Sequence, residues 1–198
     1  MEIYFLRKND FLKSVDLTTL EGYSDGRKYN CEEKRLEHLC GLFLTKFIAH
    51  YYYDVEDTTI ILKGKKPVFQ NSRIQFSLSH SHDLVLVGFN NHNIGIDVEY
   101  MYPRKNYVGI MQRYGKNCNN PTRKDFYRFW TLLEAEIKLD AKVKSLFSTY
   151  IDENYIVSCV SEDILVTDVS IKEVICVDKN LNLLKEFDYP KNLIIKSY

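Results

Sequence analysis

The sequence predicts an α+β fold in which two long helices pack against mainly antiparallel sheets. Apolar residues recur at helical spacing around residues 30–51 and again around residues 121–138. Short apolar runs typical of strands follow one another at close spacing after each of these helices, and closely spaced strands favour antiparallel pairing over a doubly wound parallel sheet. With 45% apolar and 14% aromatic residues, a chain of 198 residues can bury a substantial core.

The first half begins with a predicted strand at residues 3–6, a short irregular or helical piece at residues 10–20 and a turn cluster at residues 22–26. The first long helix follows, with Asn30 as a candidate N-cap and Glu33 three residues later. Its helical spacing predicts a core-facing side made of Leu36, Leu39, Cys40, Phe43, Phe47, Ile48 and Tyr51.

Strands are then expected at residues 58–62, 74–78, 84–89 and 94–99, with a turn at residues 64–67. In the second half, residues 101–120 read as a linker or mobile loop. The second long helix begins at Pro121-Thr122, with Asp125 in its first turn. Its predicted apolar face comprises Phe126, Phe129, Trp130, Leu133 and Ile137, and further strands are expected at residues 155–160, 164–169, 173–177 and 183–187.

Both halves therefore have the order of a long helix followed by several strands. This order indicates two α+β halves, residues 1–100 and 101–198, that form one composite domain.

Residues 93–99 carry two carboxylates on an apolar strand. A two-residue period places Asp97, Glu99 and Gly95 on one face, opposite three apolar side chains. Neighbouring buried carboxylates need a cation or exposure to stay ionised, and Mg²⁺ would supply the charge and bring a phosphate-bearing partner. Gly95 would then leave room for a ligand beside the backbone. An ordinary solvated strand end is the alternative interpretation.

Two further segments carry chemistry. Glu134 and Lys138 lie one turn apart on the edge of the second helix, either reaching into a seam between helix and sheet or forming an exposed ion pair. Residues 76–81 (Phe-Ser-Leu-Ser-His-Ser) end a strand in hydroxyls and imidazoles that suit phosphate oxygens. A Ser-His-Asp hydrolase is disfavoured because adjacent Ser79 and His80 point to opposite faces of a strand and the Gly-x-Ser-x-Gly elbow is absent.

Composition narrows the function classes. The 27 basic and 27 acidic side chains cancel, which argues against non-specific nucleic-acid binding. Five spread cysteines without metal-site spacing indicate free thiols in a reducing compartment. No apolar stretch approaches the ~18 residues of a membrane span, and the first residues lack the pattern of a signal peptide, so we expect a cytoplasmic protein that does not insert in membranes.

Four ordered segments resemble the motifs of the Sfp-type 4'-phosphopantetheinyl transferases. They are Lys-Lys-Pro at 65–67, Phe-Ser-Leu-Ser-His-Ser at 76–81, Ile-Gly-Ile-Asp-Val-Glu at 94–99 and Phe-Trp-Thr-Leu-Leu-Glu-Ala-Glu-Ile-Lys at 129–138. The family's patterns are roughly Gly-Lys-Pro, Phe-Asn-x-Ser-His-Ser, Gly-x-Asp-x-Glu and Trp-x-x-Lys-Glu-(Ala/Ser)-x-x-Lys. Each motif is weak alone, whereas four in the right order and spacing are specific.

The resemblance implies an enzyme with pseudo-two-fold α+β halves and with coenzyme A and Mg²⁺, or Mn²⁺, in the cleft between them. Such an enzyme transfers 4'-phosphopantetheine to a serine of an apo acyl or peptidyl carrier protein, and a monomer would suffice. Carried over by position, the metal ligands would be Asp97, Glu99 and Glu134, with Lys138 by the transferred phosphate. Coenzyme A would be bound by Arg27, Lys28, Arg35, Lys66, Ser79, His80 and Lys138.

Several departures from the family pattern stand beside this resemblance. Leu133 replaces a motif lysine, Ser77 replaces an asparagine, and no acid lies about eighteen residues beyond the Asp-x-Glu strand, where members often carry a candidate base. The base for the carrier serine is therefore open. A family member with impaired catalysis that binds coenzyme A or a carrier protein is the second hypothesis, and a purely structural α+β domain is the third.

Overall fold

The computed structural model describes residues 1–116, 119–163, 169–177, 180–186 and 196–197. The first half contains β1 (Glu2–Arg7), α1 (Lys8–Ser14), α2 (Leu17–Glu21), α3 (Glu32–Tyr53), β2 (Ile60–Lys63), β3 (Lys66–Phe69), β4 (Gln75–Ser81), β5 (Leu84–Asn90) and β6 (Ile94–Tyr100). The second half contains α4 (Tyr107–Arg113), α5 (Arg123–Leu139), β7 (Ser145–Tyr150), β8 (Tyr155–Ser161), β9 (Ser170–Val177), β10 (Asn180–Glu186) and β11 (Lys196–Ser197). Helices and mainly antiparallel strands confirm the predicted α+β class.

The described strands form a five-stranded sheet of order β10-β9-β1-β5-β4, a four-stranded sheet of order β11-β7-β8-β6 and the hairpin β2-β3. Only β1 and β9 pair in parallel among these strands. The sheets do not divide at residue 100. Strand β6 of the first half completes the four-stranded sheet, and β9 and β10 of the second half complete the five-stranded sheet, so the two halves interlock.

Each long helix covers one sheet. Helix α3 packs in the core cluster that includes Phe43 and Ile48 together with Val87 of β5. Helix α5 buries Tyr127, Thr131, Ala135 and Leu139, which recur every four residues on one face. Between the sheets, the apolar side chains of β6 pack with those of β1, β5 and β8.

The predicted start of α5 at Pro121-Thr122, with Asp125 in the first turn, is confirmed, and Thr122 and Asp125 form a capping box. The Thr122 side chain accepts from the Asp125 backbone N–H, and the Asp125 carboxylate accepts from the Thr122 backbone N–H. The cap predicted for α3 is wrong, because Cys31 is the N-cap and makes no side-chain hydrogen bond. This helix start is exposed, so water can satisfy its N–H groups, and Glu32 and Glu33 complement the dipole there.

Two predicted core positions are also wrong: Tyr51 is 63% exposed and Ile137 is 62% exposed. Helix α4 lies inside the predicted linker, and β3 and β7 lie where no strand was expected. Strand β7 escapes detection because Ser145, Ser148 and Thr149 interrupt the apolar alternation. The strand predicted at residues 164–169 falls almost wholly outside the described residues.

Cys31, Cys40 and Cys159 are free thiols, as predicted for these three. Within the described ranges, no helix is both long and apolar enough to cross a lipid bilayer.

Candidate functional site

The candidate site lies where the two sheets meet, along the facing edge strands β4 and β6. These strands are joined by three serine hydroxyls of β4, each of which accepts a backbone N–H of β6. Ser77 Oγ accepts from Ile96 N at 3.0 Å, Ser79 Oγ from Val98 N at 3.3 Å and Ser81 Oγ from Tyr100 N at 3.0 Å. An edge strand otherwise leaves such N–H groups unpaired. We call this set of contacts the serine seam.

Two of these serines also hold the carboxylates of β6. Ser79 Oγ donates to Asp97 Oδ1 at 2.8 Å, and Ser81 Oγ donates to Glu99 Oε2 at 2.9 Å. Ser77 makes only the seam contact, because the β6 residue opposite it on the carboxylate face is Gly95. The alternation Ser-x-Ser-x-Ser at residues 77–81 could have predicted that all three serines face the same way, but Ser81 was not among the candidate site residues.

Helix α5 closes the other side of the carboxylates. Lys138 Nζ donates to Asp97 Oδ1 at 2.7 Å and to Ser79 Oγ at 2.9 Å. Trp130, two turns earlier, lies near Glu99 and acts to lower the pKa of that carboxyl. Glu134 is half-buried on the turn between them. The prediction that a side chain on the edge of this helix reaches into the space between helix and sheet is therefore confirmed for Lys138. Lys138 pairs with Asp97, and it does not form the alternative ion pair with Glu134.

Gly95 shares the face of Asp97 and Glu99, as predicted, but it does not leave room for a ligand. A Cβ atom at Gly95 would lie 1.9 Å from the carbonyl oxygen of Ala135 and 2.6 Å from the N atom of Leu139. The backbone of α5 fills this space, so the glycine lets the helix approach the strand closely.

The electrostatics of the pair favour an additional cation. Asp97 is 6% exposed, and its Oδ2 atom is buried without a hydrogen-bond partner among the described residues. Burial, together with the neighbouring charge of Asp97, raises the pKa of Glu99. The hydrogen bond from Ser81, the charge of Arg104 and the nearby indole of Trp130 oppose this rise. Unpartnered buried carboxylate oxygen is the ligand type that a hard divalent metal prefers.

The three predicted metal ligands do not form one cluster in this structure. In the part of the chain that the structure describes, no three His, Cys, Asp or Glu side chains form a group that could hold a metal ion. Asp97 and Glu99 are neighbours on β6, and Glu134 lies on the helix turn between Lys138, which contacts Asp97, and Trp130, which lies near Glu99. The metal assignment stays a prediction.

A cavity of about 860 Å³ opens beside Lys138. It is lined by α3 and the loop before it, the β2-β3 hairpin, β4 and the end of α5. Its lining carries more cationic than acidic side chains, namely Arg27, Lys46, Lys65, Lys66 and Lys138 against Asp25 and Asp140. Ile60, Leu62 and Leu78 supply apolar surface. The cavity therefore suits a large ligand that has both anionic and apolar parts.

The polar side chains that line the cavity differ in whether they are already paired within the protein or free to bind a ligand. Arg27 and His38 pair with Asp25 at 3.1 and 3.0 Å. The Thr45 hydroxyl is buried and has no hydrogen-bond partner among the described residues. Lys65 forms no hydrogen bond or ion pair within the same residues. Lys65 and Thr45 are candidates that the sequence analysis missed.

Lys66 lines the cavity, as its predicted role requires, but its ammonium group donates to the Asn93 side chain and to the Ile94 carbonyl oxygen at 2.7 Å. Burial lowers its pKa to about 8. These contacts tie the β2-β3 hairpin to the start of β6. The contact of Lys66 with a ligand stays a prediction.

The remaining predicted binding residues are not brought to this cavity. Arg35 pairs on the surface with Glu32 and Glu21, and Lys28 is exposed outside the lining. His80 points to α3, with its Nδ1 atom 3.7 Å from the buried Glu37 carboxylate, and burial lowers its pKa. Ser79 points to the opposite side, so these two residues cannot act as a hydrolase pair, as the sequence analysis predicts.

Neither a comparison with models of known protein families nor a comparison with curated proteins gives a match for this chain.

Proposed function

We propose that this protein transfers the 4'-phosphopantetheine group of coenzyme A to a serine of an apo acyl or peptidyl carrier protein. The observation that supports this most strongly is the junction at β6, where Asp97 meets both Ser79 and Lys138 at the mouth of a cationic cavity. Three of the four motifs that resemble phosphopantetheinyl transferases, at residues 76–81, 94–99 and 129–138, supply the side chains of this junction.

The cavity matches the donor by its chemistry. Coenzyme A joins a phosphorylated nucleotide to a long arm with little charge, and the cavity combines cationic side chains with apolar surface. Lys65, Lys46 and Arg27 would face phosphate groups, and Ile60 and Leu62 would contact the apolar parts. Lys138 lies at the end of this lining nearest Asp97, where the pyrophosphate would lie.

The reaction breaks the phosphoanhydride bond of the coenzyme A pyrophosphate and forms a phosphodiester bond to the carrier serine, whose hydroxyl proton is released to solvent. The carrier serine oxygen bonds to the phosphorus next to the pantetheine arm, and the bond from that phosphorus to adenosine 3',5'-bisphosphate breaks. Negative charge accumulates on the leaving bisphosphate, and the ammonium group of Lys138 is placed to stabilise it. Ser79 fixes Asp97, and the serine seam holds the carboxylate strand against β4.

The residues present fit a divalent cation, because Asp97 Oδ2 is a buried oxygen without a partner and Glu99 lies beside it. Asp97, Glu99 and Glu134 would hold Mg²⁺ or Mn²⁺. Such an ion, when bound, neutralises charge on the pyrophosphate.

The fold implied by this function is a pair of α+β halves related by a pseudo-two-fold axis. A long helix packed on one sheet in each half, α3 on the five-stranded and α5 on the four-stranded sheet, supports this proposal.

Intact-protein mass spectrometry tests the proposal. Apo acyl and peptidyl carrier proteins are incubated with the protein, coenzyme A and Mg²⁺, and again with EDTA. We expect a gain of one phosphopantetheinyl group on the carrier serine with Mg²⁺ and no gain with EDTA. Unmodified carriers under both conditions, with coenzyme A bound in calorimetry, would instead support the second candidate function.

That second candidate is a coenzyme A-binding module without transferase activity. The observation that favours it is the ion pair of Lys138 with Asp97, which satisfies one carboxylate oxygen without a metal ion.

A further inference from the structure

One wall of the cavity is formed by the loop that joins α2 to α3. Asp25 and Arg27 of this loop line the cavity together with His38 of α3. The Tyr23 carbonyl oxygen accepts from Lys46 Nζ at 3.2 Å, and Asp25 contacts α3 two turns earlier, at His38. The loop therefore follows the helix for about 12 Å and covers that side of the cavity.

The Asp25 carboxylate is already paired inside this wall. Its Oδ2 atom lies 3.1 Å from Arg27 Nε and accepts from His38 Nε2 at 3.0 Å, and its Oδ1 atom accepts from the Arg27 backbone N–H at 3.1 Å. Gly26, at φ +76°, lets the chain turn so that Arg27 folds back on Asp25. Burial acts to raise the pKa of this carboxyl, but the hydrogen bonds from Arg27 and His38 outweigh burial and lower it. Asp25 therefore stays ionised and balances the charge of Arg27.

The other cations of the lining differ in position and in pairing. Lys46 donates to the loop carbonyl oxygen, and Lys66 is tied to the start of β6. Lys138 lies at the other end of the cavity, and Lys65 forms no hydrogen bond or ion pair with a described residue. The cavity therefore offers positive charge to a ligand at the Lys138 end, whereas positive and negative charges are already balanced at the loop end.

Coenzyme A brings three phosphate groups, two in the pyrophosphate and one on the 3' carbon of ribose. With the pyrophosphate at Lys138, the nucleoside extends along α3, where the buried Thr45 hydroxyl has no hydrogen-bond partner among the described residues and can bind it. Arg27 is the cation that would then meet the 3'-phosphate. That phosphate carries a charge of about −2 near neutral pH, so it also meets the carboxylate of Asp25. Repulsion between these like charges opposes the attraction to Arg27.

We infer that Asp25 is a specificity-determining residue that cancels recognition of the 3'-phosphate, so that the protein accepts 3'-dephospho-coenzyme A about as well as coenzyme A. This inference rests on the proposed function, because it names the class of donor for the same cavity. Transfer from the dephosphorylated donor breaks the same phosphoanhydride bond, joins the phosphorus to the carrier serine oxygen and releases AMP, with the serine proton passing to solvent. The 3'-phosphate takes no part in these bond changes.

Calorimetry with both donors tests the inference. Asp25→Asn removes the charge and keeps an oxygen that accepts hydrogen bonds. Glu56→Gln is the matched control, because it removes one exposed carboxylate outside the cavity lining. We expect wild-type protein and the control to bind the two donors with affinities within about threefold of each other. Asp25→Asn should bind coenzyme A about tenfold tighter than wild-type protein does and leave the affinity for 3'-dephospho-coenzyme A unchanged.

Two further variants separate the charge of Asp25 from the shape of the loop. Arg27→Gln, which leaves Asp25 without its cation, should weaken binding of coenzyme A alone, and it provides a test if Asp25→Asn does not fold. Asp25→Asn/Arg27→Gln lacks both charges, so the ratio of its two affinities should return to the wild-type ratio. A gain for coenzyme A that persists in the double variant would show that an opened loop causes it, and this result would overturn the inference.

The outcomes separate this inference from the proposed function. Wild-type protein that transfers from coenzyme A but binds the dephosphorylated donor more than about tenfold more weakly would overturn the inference alone. Wild-type affinities for both donors in Asp25→Asn would do the same. Equal binding of both donors without a mass gain on any carrier protein would overturn the transferase proposal alone, and binding of neither donor would overturn both.

Discussion

At the residue scale, Ser81 and Ser77 separate two roles of the serine seam. Both hydroxyls accept a backbone N–H of β6, so each alanine variant is expected to lose about 0.5–1.5 kcal/mol of unfolding free energy. Only Ser81 also donates to Glu99. We therefore predict that Ser81→Ala lowers affinity for Mn²⁺ about tenfold and that Ser77→Ala leaves it unchanged, as measured by calorimetry. Equal affinities in the two variants would show that Ser81 does not position the carboxylate.

Lys66 gives a pH-dependent prediction. Burial lowers its pKa to about 8 in the folded state, so between about pH 8 and pH 10.5 the unfolded chain binds more protons than the folded one at this residue. The free energy of unfolding of wild-type protein should therefore rise with pH in this range relative to Lys66→Met. The pKa difference sets an upper bound of about 3 kcal/mol, and partial exposure reduces the expected rise to about 1–2 kcal/mol.

Urea unfolding at pH 7 and pH 10 measures this difference, with Lys63→Met, an exposed lysine of the same hairpin, as the control. A stability difference between wild type and Lys66→Met that is the same at both pH values would contradict the assigned burial.

The residue scale also shows the limit of motif reading. The sequence placed Asp97, Glu99 and Lys138 correctly near one seam, because strand and helix periodicities fix which side chains share a face. It could not show that Ser77 replaces a backbone hydrogen-bond partner of Ile96, or that Lys66 binds the carbonyl oxygen of Ile94. These contacts depend on how separate strands meet, and no local pattern encodes that distance.

At the element scale, the approach of α5 to β6 depends on Gly95. A methyl group there would collide with the backbone of Ala135, which cannot move aside as a side chain can. We predict that Gly95→Ala lowers the unfolding free energy by about 3 kcal/mol or more. Gly88→Ala is the control, since its Cβ would meet only side-chain tips of Ile96 and Ile94 at 3.2 and 3.3 Å, and a loss below about 1 kcal/mol is expected.

Urea denaturation of both glycine variants makes the comparison. Similar losses at the two positions would mean that α5 can shift without strain, and the tight packing described for it would then be wrong.

The same helix explains a wrong prediction of its buried face. The predicted apolar face included Leu133 and Ile137, but the helix turns Thr131 and Ala135 to the sheet. Small residues are needed where a helix lies close to a strand, and Thr131 also hydrogen-bonds Ser158 at 2.6 Å. An amphipathic pattern predicts which face of a helix carries apolar side chains, whereas close packing of a helix on a strand requires small side chains.

At the scale of the whole molecule, the exchange of strands between the halves builds the site. Strand β6 follows β5 in the chain but pairs with β8, and the serine seam rejoins it to β4. The α+β class and the two helix-strand halves could be predicted from element order. The exchange could not, because β6 has the same apolar alternation whichever sheet accepts it. It sets the carboxylates of the first half directly under the helix of the second half.

The most direct test of this account compares Lys138 with a lysine that lies just beyond the helix. Wild-type protein, Lys138→Met, Asp97→Asn and the control Lys142→Met are each incubated with coenzyme A, Mg²⁺ and an apo carrier protein, and the mass of the carrier is followed with time. We predict that wild-type protein and Lys142→Met add one phosphopantetheinyl group at similar rates. Lys138→Met and Asp97→Asn should be at least about a hundredfold slower while remaining folded. Transfer by Lys138→Met at the wild-type rate, or a wild-type protein that modifies no carrier, would contradict the account.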